Sequence, residues 1–146
     1  MKTSDSPIVI EKTYKVKPNI LWTALTNLDE MRKWYFADLD QFKPEIGSLS
    51  KFIVNVEDRV YTHMWEVNRV IPQELISYSW QFSEHPGKSN TEFKIVKNEN
   101  DSKLILTMQI LADFPSNVPE FKLESCLAGW EYFLGQQLVE FLKQGT

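Results

Sequence analysis

Few side chains in this sequence have types and spacings that favour catalysis, and His63 is the strongest candidate. The segment VYTHMWEVNRVI alternates as a strand does, and it places His63 on the same predicted face as Tyr61 and Trp65. An imidazole in an aromatic cavity would serve as an acid, a base or a polar anchor near neutral pH. A histidine near a strand end is also commonly just hydrogen-bonded or solvated, so both interpretations stay open. His85 precedes a Pro-Gly pair in a predicted loop, where we expect a solvated side chain.

The other reactive side chains favour structural roles. Cys126 is the single cysteine, and without a cationic neighbour we expect a small apolar filler rather than a nucleophile. One cysteine also excludes an internal disulfide and any multi-cysteine metal site. Asp38, Asp40 and Glu45 lack the spacing of a calcium loop and are expected in a solvated loop. Because the common catalytic and nucleotide-binding motifs are absent as well, we assign no catalytic residue, no metal and no cofactor.

Composition limits the classes of partner. The chain has 146 residues, of which 42% are apolar and 25% charged, values that suit one globular domain. A net charge of −4 and a pI near 5.2 argue against binding to nucleic acid or to an acidic membrane. No segment has the features of a signal peptide or a membrane span. We therefore predict a cytoplasmic protein, monomer or homodimer, with no nucleic-acid or membrane partner.

The periodicity of the chain predicts the elements that would position these residues. Residues 8–17 alternate as a half-buried strand, Pro18 suits the first turn of a helix, and LDEMRKWY is typical of a second short helix. Alternation of period two then predicts antiparallel strands around residues 52–56, 60–71, 75–82, 92–95 and 104–110. Turns are expected at residues 57–58, 72–74 and 98–101, and a loop at HPGKSN, residues 85–90.

A long helix is predicted from Pro119 onward. Its apolar residues recur every three or four positions, at Leu123, Leu127, Trp130, Leu134, Leu138 and Phe141. About 24 residues at about 1.5 Å each give a helix roughly 36 Å long, with Gly145 as its expected C-cap. Gly129 and Gly135 each cost about 1 kcal/mol relative to alanine, so we expect a close approach to the sheet or a gap there. A meander covered by one long helix is an α+β fold.

The aromatic residues carry most of the functional information. They make up 13% of the chain, with five Trp, five Tyr and nine Phe. Any one of them is better explained as core, but many large planar side chains between a helix and a curved sheet favour a concave pocket. The candidate ligand-binding residues are His63, Trp65, Tyr78, Trp80, Phe93, Met108, Trp130 and Phe133. Arg69 and Gln109 are further polar candidates for the same cavity.

Four segments together resemble a known family. They are LTNLDEMRKWYF at 25–36 with Trp34, KPEIGSLSKF at 43–52 with Gly47, VIPQELISYSW at 70–80 with Pro72 and Trp80, and LAGWEYFLGQQLVEFL at 127–142 with Gly129 and Trp130. In this order, and over roughly residues 8–143, they are similar to the START-like (SRPBCC) superfamily, in the branch named after the activator of the heat-shock protein 90 ATPase. One departure is the turn at residues 72–73, Pro-Gln, where the family usually has two prolines.

The resemblance implies a fold and a cavity rather than a reaction. The implied fold is the helix-grip, a curved antiparallel sheet wrapped around a long C-terminal helix, with two short helices after the first strand. We expect a single START-like domain over residues 1–146, ordered from about 8 to 143, that binds a small hydrophobic or aromatic molecule, lipids included. Two alternatives remain. One is a co-chaperone-type domain that regulates a heat-shock protein 90 ATPase, and the other is a cyclase- or hydrolase-like enzyme that uses His63 with a tyrosine.

Overall fold

The computed structural model describes residues 1–144 and contains one six-stranded antiparallel sheet that curves around a C-terminal helix. In chain order the elements are β1 (Ile8–Tyr14), α1 (Pro18–Thr26), α2 (Leu28–Trp34), β2 (Leu49–Val56), β3 (Arg59–Ile71), β4 (Leu75–Phe82), β5 (His85–Lys97), β6 (Ser102–Ala112), a 3-10 turn (Pro119–Phe121) and the helix α3 (residues 123–144). The strand order across the sheet is β1-β6-β5-β4-β3-β2. The predicted α+β helix-grip fold, with two short helices after the first strand, is confirmed.

The two short helices form a linked pair. Pro18 opens α1 at a position where its missing N–H is not needed. The side chain of Asn27 caps α2 by accepting a hydrogen bond from the backbone N–H of Glu30 at 3.1 Å. The indole of Trp34 donates to the carbonyl of Ala24 at 2.7 Å, and this buried bond ties the end of α2 to α1.

The sheet departs from the predicted pattern at two places. The pairing of β3 with β4 shifts register between Val67 and Arg69, so the alternation of β3 changes phase and Arg69 is exposed rather than inward. The predicted HPGKSN loop is wrong, because β5 begins at His85. Its pairing with β4 skips residues between His85 and Ser89, and this irregular stretch accommodates the proline and glycine that suggested a loop.

The helix α3 begins later than predicted and is not uniform. The 3-10 turn occupies residues 119–121, and α3 then runs as α-helix over Leu123–Trp130, π-helix over Glu131–Gln137 and α-helix over Leu138–Gln144. The π-helical carbonyl of Leu134 accepts a hydrogen bond from the Tyr14 hydroxyl at 2.7 Å, which anchors α3 to β1. The predicted C-cap Gly145 lies outside the described residues.

The buried face of α3 is shorter than the predicted apolar stripe. Trp130, Leu134 and Leu138 are buried, whereas Leu123 and Leu127 are 51% and 41% exposed. A Cβ at Gly129 would meet no atom within 4 Å, so this glycine leaves a gap rather than allowing a close approach to the sheet. At the second helix glycine, residue 135, a Cβ would meet the side chain of a neighbouring glutamate on the same helix.

Candidate functional site

One end of the space between α3 and the sheet is open. It forms a cavity of about 310 Å³, where β2 ends, β3 begins, β4 ends and β5 begins. The strands contribute Val54, Val56, Tyr61, His63, Trp80, Phe82, Ser89 and Met108 to its walls. The helix and the loops contribute Met1, Phe36, Phe114, Glu120, Phe121, Ser125, Cys126, Gly129, Trp130 and Phe133. The walls are therefore mainly aromatic and aliphatic, with a few polar side chains among them.

Five of the eight candidate ligand-binding residues lie together on this cavity. They are His63, Trp80, Met108, Trp130 and Phe133. The other three, Trp65, Tyr78 and Phe93, lie further along the strands in the packed part of the core, where each is at most 2% exposed. Of the two additional polar candidates, Arg69 forms an ion pair with Glu92 on the outer face, and Gln109 is exposed.

Tyr35, which follows α2, separates the cavity from the packed core. Its ring lies 5.0 Å from Phe133, 5.5 Å from Trp65 and 6.2 Å from Trp130, measured between ring centroids. Its hydroxyl shares a hydrogen bond of 2.8 Å with the hydroxyl of Tyr78. Burial raises the pKa of both phenols well above the usual value, so this pair stays neutral and holds two elements together.

His63 is fixed within the cavity wall by aromatic neighbours. Its ring stacks on Phe52 at 4.6 Å with an interplanar angle of 16°, and the ring of Phe82 packs at 4.7 Å. The indole N–H of Trp80 donates to Nδ1 of His63 at 2.9 Å. Burial lowers the pKa of His63 to about 4, although the nearby charge of Glu84 acts in the opposite direction. The imidazole is therefore neutral at physiological pH.

No hydrogen bond joins His63 to a tyrosine among residues 1–144. Tyr14 bonds the backbone of α3, Tyr35 and Tyr78 bond each other, and Tyr61 bonds Glu120. Within the described part of the chain, the imidazole of His63 makes one hydrogen bond, which it accepts from the Trp80 indole. This geometry positions His63 as a fixed polar group in an apolar wall.

A polar cluster links the 3-10 turn to β3 at the edge of the cavity. Glu120 accepts hydrogen bonds from the Tyr61 hydroxyl at 2.6 Å and from Nε of Arg59 at 3.1 Å, and a second guanidinium nitrogen also contacts it. Burial alone would raise the pKa of Glu120, but these hydrogen bonds hold it below the usual value. The carboxylate is thus ionised and compensated by Arg59.

Sulfur atoms form part of the wall on the helix side. The thiol of Cys126 contacts the sulfur of Met108 at 3.4 Å, which joins α3 to β6. Burial raises the pKa of the Cys126 thiol to about 11, so the predicted role of an apolar filler agrees with its environment. These polarizable side chains adapt readily to the shape of an apolar neighbour.

Several residues of the cavity have no individual signal in the sequence. Phe36, Phe114 and Glu120 come from loops or turns, where hydrophobic periodicity carries no information. His85 is half-buried against Tyr61 and Phe121, at ring distances of 5.7 and 5.1 Å, rather than solvated as expected. Gly129 did give a signal, because a glycine inside a predicted helix indicates either a close approach or a gap. The gap that it leaves lies on the cavity.

The acidic residues considered for a cation lie on the surface. Asp38, Asp40 and Glu45 are exposed between α2 and β2, as expected of a solvated loop. Within residues 1–144, no three His, Cys, Asp or Glu side chains are grouped so as to hold a metal ion. No helix in this part of the chain combines the length and apolar character needed to cross a membrane.

Solved structures share this fold at low sequence identity. The Mll3558 protein from Rhizobium loti superposes with a TM-score of 0.80 at 17% identity, covering 93% of this chain and 96% of its own. Protein MLL2253 from Mesorhizobium loti gives 0.76 at 21% identity, with 97% and 99% covered. DynU16, from the dynemicin biosynthetic locus, gives 0.76 at 17% identity, covering 97% of this chain and 49% of its own.

Sequence comparison identifies the family. No curated protein shows significant similarity to the chain. The sequence profile described as Activator of Hsp90 ATPase homolog 1-like protein matches residues 15–143, which include both short helices, strands β2 to β6 and nearly all of α3. The resemblance noted in the four sequence segments is thereby confirmed, and the chain belongs to the Activator of Hsp90 ATPase homolog 1-like family within the START-like fold.

Proposed function

We propose that this protein binds one small, mainly apolar molecule in the cavity between α3 and the sheet, and we assign no reaction to it. The observation that carries the proposal is the cavity of about 310 Å³ within an otherwise packed aromatic core. Ligand pockets begin at about 300 Å³ and are mostly apolar with a few placed polar groups. A ligand that binds here only in the folded protein would also stabilise the fold.

The walls favour a flat or aromatic ligand. The ring of Trp80 lies edge-on to Trp130 at 6.1 Å, and Phe133 packs at 5.0 Å from Phe36, so rings on β4, α3 and the loop after α2 surround the space. Aromatic pairs prefer offset or edge-to-face contacts, which a planar guest can make with several rings at once. Met108 and Cys126 provide adaptable contacts on a further side.

The decisive experiment compares native and denaturing mass spectra of the freshly purified protein. We expect a small molecule that is retained natively and lost on denaturation. Gly129→Leu adds bulk where a side chain enters open space on the cavity, so it should reduce the retained fraction. The matched control is Ala128→Leu, which adds the same side chain to an exposed position of the same helix and should retain the molecule as the wild type does.

A bare wild-type mass that stays bare after incubation with apolar bicyclic probes would contradict the proposal. Equal retention by wild type, Gly129→Leu and Ala128→Leu would place the bound molecule elsewhere on the protein. Both outcomes are distinct from misfolding, which the melting curve of each variant reports independently.

A second candidate function is docking of a chaperone on the outer face of α3. Leu123 and Leu127 lie one turn apart and are 51% and 41% exposed, and the family description names activation of the Hsp90 ATPase. If this surface serves that role, wild-type protein should stimulate an Hsp90 ATPase, and the double variant Leu123→Ser/Leu127→Ser should not. A wild-type protein without stimulation removes this candidate and leaves the cavity proposal untouched.

A further inference from the structure

We propose that His63 selects the ligand of the cavity through its Nε2–H group, which donates a hydrogen bond to a neutral oxygen acceptor such as a ketone. This inference rests on the proposed function and adds to it a chemical class, an apolar molecule that carries a carbonyl-type oxygen. It follows from the way Trp80 fixes the imidazole and from the charges around the cavity.

The tautomer of His63 is set by its neighbour. An indole nitrogen only donates hydrogen bonds, so the contact of 2.9 Å from Trp80 Nε1 requires a lone pair on Nδ1 of the imidazole. The proton of the neutral ring is then on Nε2. Stacking on Phe52 and packing of Phe82 hold the plane of the ring, so this donor has a fixed direction. The low pKa of His63, about 4, keeps the ring in this neutral form at physiological pH.

The Nε2–H donor has no hydrogen-bond partner among residues 1–144. Among residues 1–144 the imidazole makes one hydrogen bond, through Nδ1, and its ring is part of the cavity wall. A hydrocarbon guest would displace water from this donor and offer no acceptor in its place. The donor would then be buried without a hydrogen bond, which weakens binding. A guest with an oxygen acceptor would satisfy it, so the site discriminates between otherwise identical skeletons.

The charges around the cavity favour a neutral acceptor over a carboxylate. Among the described lining residues, Glu120 has the one charged side chain, which Arg59 compensates, and the N-terminal ammonium of Met1 donates to the carbonyl of Phe121 at 3.2 Å. A carboxylate guest beside the neutral His63 would bring a second negative charge into an apolar wall with no cationic side chain among these residues, which is costly. Ser89, 2% exposed on the wall, adds a neutral hydroxyl and no charge.

The test uses 1-tetralone and tetralin, which share one bicyclic skeleton and differ by a carbonyl in place of a methylene group. The measured quantity is the dissociation constant of tetralin divided by that of 1-tetralone, obtained by NMR titration of the full-length protein. Relative to His63→Phe, the wild-type ratio should be larger by roughly tenfold, the effect of one hydrogen bond of about 1.4 kcal/mol. Because each variant is its own reference, a change in cavity size cancels in the ratio.

Two further measurements separate hydrogen bonding from shape. His63→Gln can still accept from Trp80 through its carbonyl and donate through its amide, so it should recover part of the preference that His63→Phe loses. In wild-type protein, two-bond ¹H–¹⁵N correlations should show the Nε2–H tautomer, and the Nε2 resonance should move with 1-tetralone more than with tetralin.

The outcomes distinguish this inference from the proposed function. A ratio that is the same in wild type and in His63→Phe, with both probes bound, overturns the role of His63 and leaves the cavity as a binding site. An Nδ1–H tautomer in the free protein overturns it as well. If neither probe binds wild-type protein, the inference fails together with the binding function on which it rests.

Discussion

Acidification should destabilise the fold through His63 by about 3 kcal/mol. The pKa of this buried imidazole is about 4 in the folded protein, against 6.5 for a solvated histidine, and one pKa unit corresponds to about 1.4 kcal/mol. Between these two values the unfolded chain binds a proton at this residue and the folded chain does not. The free energy of unfolding therefore falls as the pH decreases from 6.5 to about 4. Above this window the residue is neutral in both states and adds no pH dependence.

The assay is urea denaturation of wild type and His63→Phe at several pH values from about 7.5 to about 4. Phenylalanine keeps a flat ring against Phe52 and cannot titrate, and the carboxylates common to both proteins cancel in the difference. The stability of wild type relative to the variant should fall by about 3 kcal/mol across the window. His85→Gln, which removes the other histidine, is the matched control. Parallel pH profiles for wild type and His63→Phe would refute the burial of a neutral imidazole.

Three comparisons of variants test the packing around the cavity, each by urea denaturation. Gly129→Ala should raise the free energy of unfolding by about 1 kcal/mol, because the new methyl group meets no atom within 4 Å and alanine favours the helix; a loss of stability would contradict the gap. Tyr35→Phe should lower the free energy of unfolding by about 1–3 kcal/mol, because it leaves the buried Tyr78 hydroxyl without its partner. Adding Tyr78→Phe to this variant should then lower it by less than the first substitution did. Trp65→Ala, in the packed core, should cost about 3–5 kcal/mol, and Trp80→Ala, beside existing space, clearly less; equal costs would argue against an open end.

The fold was predictable because its signals are local. Alternation in residues 75–82 and 104–110, the turns at 57–58, 72–74 and 98–101, and the helical spacing near the C-terminus each fixed one element. The errors arose where pairing between strands overrode local chemistry. The proline and glycine at residues 86–87 are typical of a loop, but the residues that flank them pair with neighbouring strands, His85 with β4 and Lys88 with β6, so they lie in an irregular stretch of β5. The register shift after Val67 is likewise a feature of the pairing of β3 with β4, which the alternation of β3 alone does not reveal.

The sequence predicted which face of β3 carries the candidate site, but not where along that face open space remains. Alternation correctly placed His63 and Trp65 on the same side of β3. In the structure, however, His63 lines the cavity and Trp65 lies in the packed core. What separates them is Tyr35, contributed by the end of a short helix some thirty positions earlier in the chain. The alternation of residues along β3 carries no information about where a side chain from another element, such as Tyr35, fills the space.

The two ends of the sheet therefore have different physical roles. At one end, fully buried rings pack around the hydroxyl pair of Tyr35 and Tyr78 and leave no space. A substitution there should lower the free energy of unfolding. At the other end, Gly129 has no side chain to fill the space, and the indole N–H of Trp80 orients His63. The hydrogen bonds of Glu120 hold the 3-10 turn against β3. A fold selected only for stability would fill that gap at little cost, since alanine alone at residue 129 would favour the helix. Open space beside a fixed donor that has no partner among residues 1–144 is the physical argument for the ligand proposed at this end of the sheet.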